Sequence, residues 1–534
     1  MTAYTGTGAL VRLALRRDRI MIPIWLAAFV LSASSAAAAV VKLYPPGPEL
    51  VKASEQFNQV SAVVALYGRI YDPNNPGGLA LVKLGGLGSV FVALMSILLV
   101  MRHTRAEEET GRQELLGATV MGRRAPLTAA LIVAIGTNIV LAVLTGLILI
   151  ASGLDTNGSF AFGASWGGVG ITFAAIAAVT AQLTTTARAG TGLASIVLGA
   201  VYVLRAIGDT AGPNGPTWAS WLSPVGWGQQ FHWYAGERWW VLLLMIGFTV
   251  TVVPIAYALV ARRDLDAGLL PDRPGRATAA PSLRTSFALA WRLQRGVLYA
   301  WAAAAGVLAF VLGNIATNLS GFINDSPQAQ ELFAKLGGAK ALEDAYLSAT
   351  LGFVGVAVSA YGIQAASRLR GEESALRAEP LLAAGTTRFR WIMSHVVVAL
   401  LGTTGLLLLV GVVTGLTYGA RAGDMGRAGG VIAGALGQLP ATWVLTGITM
   451  AAFGIAPKVA AIGWSALGAF VVLGVIGPLF PLNQTVMDIS PFAHSPKLPG
   501  GVFSATPVVA LTGVAVLLVA AGLYGFRRRD VPVT

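Results

Sequence analysis

Twelve stretches of the chain stay apolar over about the 20 residues that a membrane-spanning helix needs. They lie at 20–41, 84–101, 127–151, 164–183, 189–207 and 239–260, then at 297–318, 347–366, 391–415, 430–453, 459–480 and 505–525. These are continuous runs, unlike the alternating segments of about ten residues in an outer-membrane barrel. The pattern predicts an all-α polytopic membrane protein with twelve transmembrane helices. The first run reads as a retained span, because Ala36–Ala39 continues into Val40 and Val41 without a polar cleavage region.

Composition agrees. Of 534 residues, 55% are hydrophobic and 11% charged, against roughly 25% charged in a soluble domain. A soluble enzyme and a disordered chain are excluded. There is no cysteine, and no two of the four histidines have metal-ligand spacing, so neither a disulfide framework nor a metal site is expected. The net charge of +13 matters only through its distribution. With the N-terminus inside, the inner segments collect 26 of the 37 basic residues and half of the 24 acids. The whole basic excess then sits on one face, which is the positive-inside pattern. Insertion topology accounts for the charge without a nucleic-acid partner. It predicts the plasma (inner) membrane, with both termini cytoplasmic.

The chain also repeats itself. A shift of 276 aligns Arg19 and Trp25 with Arg295 and Trp301. A shift of 265 aligns Arg105, Glu107, Glu108, Arg112, Glu114, Leu116, Ala118 and Arg123 with Arg370, Glu372, Glu373, Arg377, Glu379, Leu381, Ala383 and Arg388. Shifts of 267 and 266 bring Ser223-Pro224 onto Ser490-Pro491 and Arg262-Arg263-Asp264 onto Arg528-Arg529-Asp530. A tandem six-span unit results. Each copy starts and ends inside, so the repeats are parallel, related by an axis along the membrane normal. The halves are 1–270 and 284–534, and 271–283 is a cytoplasmic linker.

Before the first span of each half lies a basic amphipathic segment: Leu13, Arg16 and Arg19 in one, Trp291, Arg292 and Arg295 in the other. An interfacial helix drawn to anionic lipid fits it; an ordinary basic flank is the alternative. The loops after spans 2 and 8 are more informative. The first carries Glu107, Glu108, Gly111, Arg112, Glu114 and Leu115, and the second Glu372, Glu373, Arg377 and Glu379. Acids leading the segment suit a helix N-terminus. A single copy would read as a solvated loop; two copies with matched spacing favour short helices that dock on another protein.

This order of elements resembles the type-2 ABC transporter permeases, the fold of the ABCG-like exporters. The first loop carries the resemblance through Glu108, Gly111, Glu114 and Leu115. The fused twelve-span layout is closest to the actinobacterial polyketide-antibiotic (tetronasin-type) and multidrug exporter permeases. The resemblance implies that the loop helices are coupling helices seated on two copies of an ABC ATPase. ATP and Mg then belong to that partner, with no cofactor in this chain. It implies a pathway for hydrophobic drugs or polyketide antibiotics between spans 2 and 5 and spans 8 and 11, with Phe91, Met95, Tyr202, Phe353, Tyr361, Trp464 and Phe470 as lining candidates; ordinary packing is the alternative for each. It also implies short re-entrant helices among Trp218, Trp221, Trp227, Trp233, Trp239 and Trp240 and among Pro478, Pro481, Pro491, Pro496 and Pro499, where interfacial anchoring alone is the alternative. The second loop departs from the pattern: Ala375-Leu376 replaces Thr110-Gly111 and Pro380 follows Glu379, which implies weaker or differently angled docking.

No phosphate-binding loop, H-E-x-x-H motif or supported Ser/His/Asp set occurs. The chain thus reads as a transport subunit without catalytic residues, driven by a separate ATPase. A twelve-span proton-coupled carrier is the alternative, but such carriers keep ionisable groups near the midplane. Here only Arg205 and Asp209 enter a span, at its outer end, where an interfacial position is expected. A membrane enzyme would need paired carboxylates, and the one dense acidic group, 107–109, sits in a basic loop.

Overall fold

The computed structural model describes residues 2–112, 120–211, 215–264, 267–270, 277–324, 338–459, 461–475 and 484–530. Every regular element among them is helical. The chain divides into two compact units, Met1–Gly275 and Arg276–Thr534.

Unit 1 runs through α1 (Thr7–Arg17), α2 (Met21–Leu43), α3 (Pro48–Gln59), α4 (Ser61–Tyr67), α5 (Pro76–Lys83), α6 (Ser89–His103), α7 (Arg105–Glu109), α8 (Ala125–Ala151), α9 (Thr156–Leu183), α10 (Ala187–Thr210), α11 (Pro224–Gln230) and α12 (Trp240–Arg262). Local chemistry sets several starts. The Asp155 carboxylate accepts from Gly158 N at 2.9 Å, and Thr186 Oγ1 accepts from Ala189 N at 3.1 Å. Asn75 and Ser223 do the same ahead of Pro76 and Pro224, which sit where a missing N–H costs nothing. The second span starts earlier than hydropathy suggests. It runs as one apolar helix over Pro76–Glu109, with a π turn at Leu84–Gly88. There the Trp166 indole N–H donates to the carbonyl of Leu84 at 3.1 Å.

The centre of unit 1 is α9, the most enclosed of the spans. Small residues let its neighbours approach. A Cβ at Gly163 would collide with the carbonyl oxygen of Ala142 in α8, the close backbone contact that Gly permits between membrane helices. Large rings fill the remaining space. Phe162, Trp166 and Phe173 are fully buried, and Trp166 meets both Phe29 and Phe162.

Unit 2 runs through α13 (Ser286–Asn324), α14 (Gly338–Ser374), α15 (Ala378–Ala383), α16 (Arg388–Ala422), α17 (Ala428–Leu436), α18 (Leu439–Ile455), α19 (Ile462–Val475) and α20 (Ala505–Arg528). Its centre is the pair α17 and α18, which turn at Gly437-Gln438 within one apolar stretch.

Eleven helices among the described residues are long and apolar enough to cross a membrane. The protein is a multi-pass membrane protein. The run at 459–480 is represented by α19, too short by itself to be counted with them, and 476–483 lie outside the described residues. The two halves also differ at their first spans. In unit 1 the helix breaks at Asp18 and restarts as α2. In unit 2 no separate interfacial helix forms, because α13 carries Trp291, Arg292 and Arg295 straight into the span. The break falls at a position whose partners differ between the units. Asp18 is fully buried and takes Arg102 at 2.9 Å and His103 at 2.6 Å. Gln294, the residue aligned with it, meets the His395 ring at 3.0 Å.

Candidate functional site

The acidic segment after the second span gathers several ion pairs of unit 1. Glu107 pairs with Arg17 of α1 and, at 3.9 Å, with Arg112. Glu108 is turned inward and only 5% exposed. Arg105 reaches it at 2.7 Å, and Arg263, just beyond α12, grips it at 2.5 and 3.0 Å. Arg263 also donates to Gln182 Oε1 at 2.7 Å, at the end of α9. Arg105 is fully buried and donates to the carbonyls of Ala181 and, at 2.8 Å, Ala267. The Glu109 carboxylate accepts from Ala187 N at 2.8 Å, at the start of α10. One short segment therefore ties together α1, α6, α9, α10 and the end of α12.

Unit 2 repeats the central part of this arrangement. Glu373, 5% exposed, takes both guanidinium nitrogens of Arg529 at 2.5 and 2.6 Å. Glu372 takes Arg368 at 2.7 Å and Arg377 at 3.6 Å. Glu108 and Glu373 are aligned in the repeat, and so are Arg263 and Arg529. A second contact repeats as well. Arg123 donates to the carbonyl of Arg263 at 2.5 Å, and Arg388 donates to the carbonyl of Arg529 at 2.8 Å. Each unit thus clamps the segment after its second span to the end of its last. Both clamps are bidentate and largely desolvated, a geometry in which a charge-assisted pair is strong and costly to break.

The backbone repeats too. Gly111 has φ 67° and the aligned Leu376 has φ 56°. The left-handed turn survives the loss of glycine, so Leu376 holds a conformation that costs an L-residue energy.

These contacts revise the sequence expectation of wholly exposed docking helices. Glu108, Glu372 and Glu373 are buried and paired within their own units, because a carboxylate so close to the apolar spans needs a cation. The exposed positions include Glu109, Thr110 and Arg112 in unit 1 and Ser374, Ala375, Leu376 and Arg377 in unit 2; Glu379 is half-buried. Glu114 and Leu115 lie outside the described residues. Leu13, Arg16 and Arg19 are exposed on and after α1, as are Trp291, Arg292 and Arg295 on α13. The lining candidates do not share one environment. Met95 and Tyr361 are buried in the cores of their units, Phe91, Phe353 and Trp464 face outward, and Tyr202 and Phe470 are half-buried.

At the other end of α10, two residues expected at an interface are buried. Arg205 and Asp209 pair at 3.1 Å, and Ser220 Oγ donates to Asp209 at 2.6 Å. Between α10 and α12 lie a 3-10 turn, Thr217–Leu222, and α11, most of which is buried. Sequence reading also missed the Asp18, Arg102 and His103 cluster and the contact of Glu343 with Tyr418 at 2.5 Å and Arg427 at 2.7 Å. The one signal for them was a lone charge at the edge of an apolar run.

The family model described as multidrug efflux system permease Rv1217c, C-terminal domain, matches residues 9–263 and 283–527. The multidrug efflux system permease protein Rv1217c of Mycobacterium tuberculosis (strain ATCC 25618 / H37Rv) is 39% identical over 532 residues, which make up 99% of this chain and 96% of that protein.

Proposed function

Since the chain belongs to the multidrug efflux system permeases, we propose that it is the transmembrane subunit of an ATP-driven ABC exporter in the inner membrane, with both termini cytoplasmic. Its substrates would be hydrophobic drugs or polyketide antibiotics, taken from the bilayer and released outside. The observation that carries this reading is the duplicated clamp, Glu108 with Arg263 and Glu373 with Arg529. A permease with one docking segment per unit has to transmit a push on that segment to its spans. A buried ion pair between the segment and the end of the last span of its unit does so stiffly. The sequence contains no phosphate-binding loop, so two copies of a separate ABC ATPase would supply ATP hydrolysis. Each would dock on the exposed side of a segment, through Glu109 and Arg112 in one unit and Arg377 in the other. Closure of the ATPase dimer would then rock the two units in alternating access.

The test is purification of the tagged chain in mild detergent, with co-purifying proteins identified and ATP hydrolysis measured. Two ATPase copies per chain are expected, with hydrolysis that rises on addition of a lipophilic drug. A chain that purifies alone and transports in liposomes under a proton gradient would overturn the reading in favour of the proton-coupled carrier.

A further inference from the structure

A second charged region of unit 1 lies apart from the coupling segment. It is a cleft of about 250 Å³ at the far end of α10, lined by Arg69, Tyr71, Asp209, Ser220, Trp221, Gln230, His232 and Arg238, among others. The start of α10 touches Glu109, while its end forms the wall of the cleft. The helix has 24 residues, so about 36 Å separates the two places, more than the roughly 30 Å hydrocarbon core. The cleft therefore opens on the membrane face opposite the coupling segment.

Its charge is unbalanced. Asp209 is occupied by Arg205 and Ser220. Among the described residues neither Arg69 nor Arg238 has a side-chain hydrogen bond or ion pair, and both are exposed. The neighbouring acids are turned elsewhere: Glu237 accepts from Asn157 at 2.6 Å, and Asp72 from Asn74 at 2.9 Å. The wall thus holds two guanidiniums, Arg69 and Arg238, and one carboxylate that Arg205 already neutralises from behind.

The polar floor is built and incompletely used. The His232 ring stacks on Tyr71 at 3.7 Å, and its Nε2 is buried without a partner. His232 and Tyr234 both hold left-handed backbone, with φ 51° and 62°. Two such residues so close together mark a loop kept in place at a cost. Burial and the nearby Arg238 push the His232 ring down to about 4, so near neutral pH it enters the site as an uncharged ring.

The surroundings place the cleft at headgroup depth. Trp218 and Trp240 are exposed, and Trp240 stacks on Trp221 of the cleft wall. Exposed tryptophans gather at the level of the lipid headgroups. At about 250 Å³ the cleft is smaller than most sites for drug-sized molecules, but it admits a headgroup.

We propose that this cleft binds a phosphate oxyanion between Arg69 and Arg238, with His232 and Tyr71 beneath it. Paired guanidiniums are the usual protein answer to phosphate. The anion has two sources, an anionic phospholipid of the leaflet on that face or free phosphate, and one titration separates them.

Full-length protein in non-ionic detergent is titrated by calorimetry with inorganic phosphate and, separately, with short-chain phosphatidylglycerol below its micelle concentration. Saturable binding of either ligand is expected, weakened about tenfold or more in R69Q/R238Q and largely kept in R69K/R238K. Saturation by phosphatidylglycerol alone makes the site a lipid site; saturation by phosphate as well makes it a free-anion site. Single R69Q and R238Q variants, each checked by elution volume and melting midpoint, serve if the double variant does not fold. No saturable binding of either ligand, or equal binding in wild type and R69Q/R238Q, would overturn the proposal. The assay needs no ATPase, so its result is independent of the transport reading.

Discussion

At the scale of single residues, the aligned pair Gly111 and Leu376 makes a clean experiment, because the same left-handed turn is held by glycine in one unit and leucine in the other. Gly111→Leu should cost about 1–2 kcal/mol. Leu376→Gly should recover part of that amount, since glycine relieves the strain but loses chain entropy. Melting midpoints in detergent check both. The clamp residues predict larger effects. Arg529→Gln leaves Glu373 buried without its cation, and breaking such a pair costs about 3 kcal/mol or more. A double-mutant cycle with Glu373→Gln should show strong coupling; additive effects would mean that the pair is incidental. His232 makes a pH prediction. Its ordinary value of 6.5 falls to about 4 in the folded protein, so the unfolded chain takes up the proton first. The His232 contribution is then fully present above about pH 6.5 and is lost as the pH falls towards 4. A profile of melting midpoint against pH should be less steep over that window in His232→Gln.

At the scale of elements, close backbone approach at glycine holds some pairs of spans together. A Cβ at Gly454 of α18 would run into the Gly522 carbonyl of α20. Nothing larger fits without separating the helices, and hydrocarbon supplies no hydrophobic force to push them back together. Gly522→Leu should therefore lower the melting midpoint strongly, whereas the same change at Gly513, which has open space, should be nearly silent. The first spans show how little decides an element's shape. The α1 to α2 break coincides with Asp18, held by Arg102 and His103. Asp18→Gln should leave His103 and Arg102 without their acid and loosen the tie between the end of α1 and α6, read as faster proteolysis in the 9–19 segment.

At the scale of the whole molecule, the division into two units is what organises the charged contacts. Two units, Met1–Gly275 and Arg276–Thr534, carry the same clamp with different surroundings. Unit 1 adds Arg105 to its carboxylate, whereas in unit 2 the Arg529 guanidinium lies over the Phe453 and Phe526 rings. If each clamp transmits one ATPase stroke, Glu108→Gln and Glu373→Gln should each lower drug-stimulated hydrolysis of the assembled transporter. The two together should abolish stimulation while the ATPase stays bound. Loss of binding in the single variants would assign these residues to assembly rather than transmission.

Much of this could be read from residue order. Long apolar runs determined the spans, because lipid leaves the backbone no choice but helix, and the matched Arg and Glu spacing exposed the duplication. The identities of the clamp residues were visible as alignments: Glu108 with Glu373, Arg263 with Arg529, Arg123 with Arg388. Their partnership was not, because some 155 positions separate each acid from its arginine, and only folding of the unit brings its second and last spans together. Burial was equally hidden. Sequence alone marked Glu108 and Glu373 as surface acids and left Arg69 and Arg238 unremarked, as isolated arginines in two loops. Hydropathy is a property of the chain, so the sequence determined what enters the membrane. Which charges meet, which are enclosed and which are left facing a cleft depend on contacts between distant segments, and those only the tertiary structure decided.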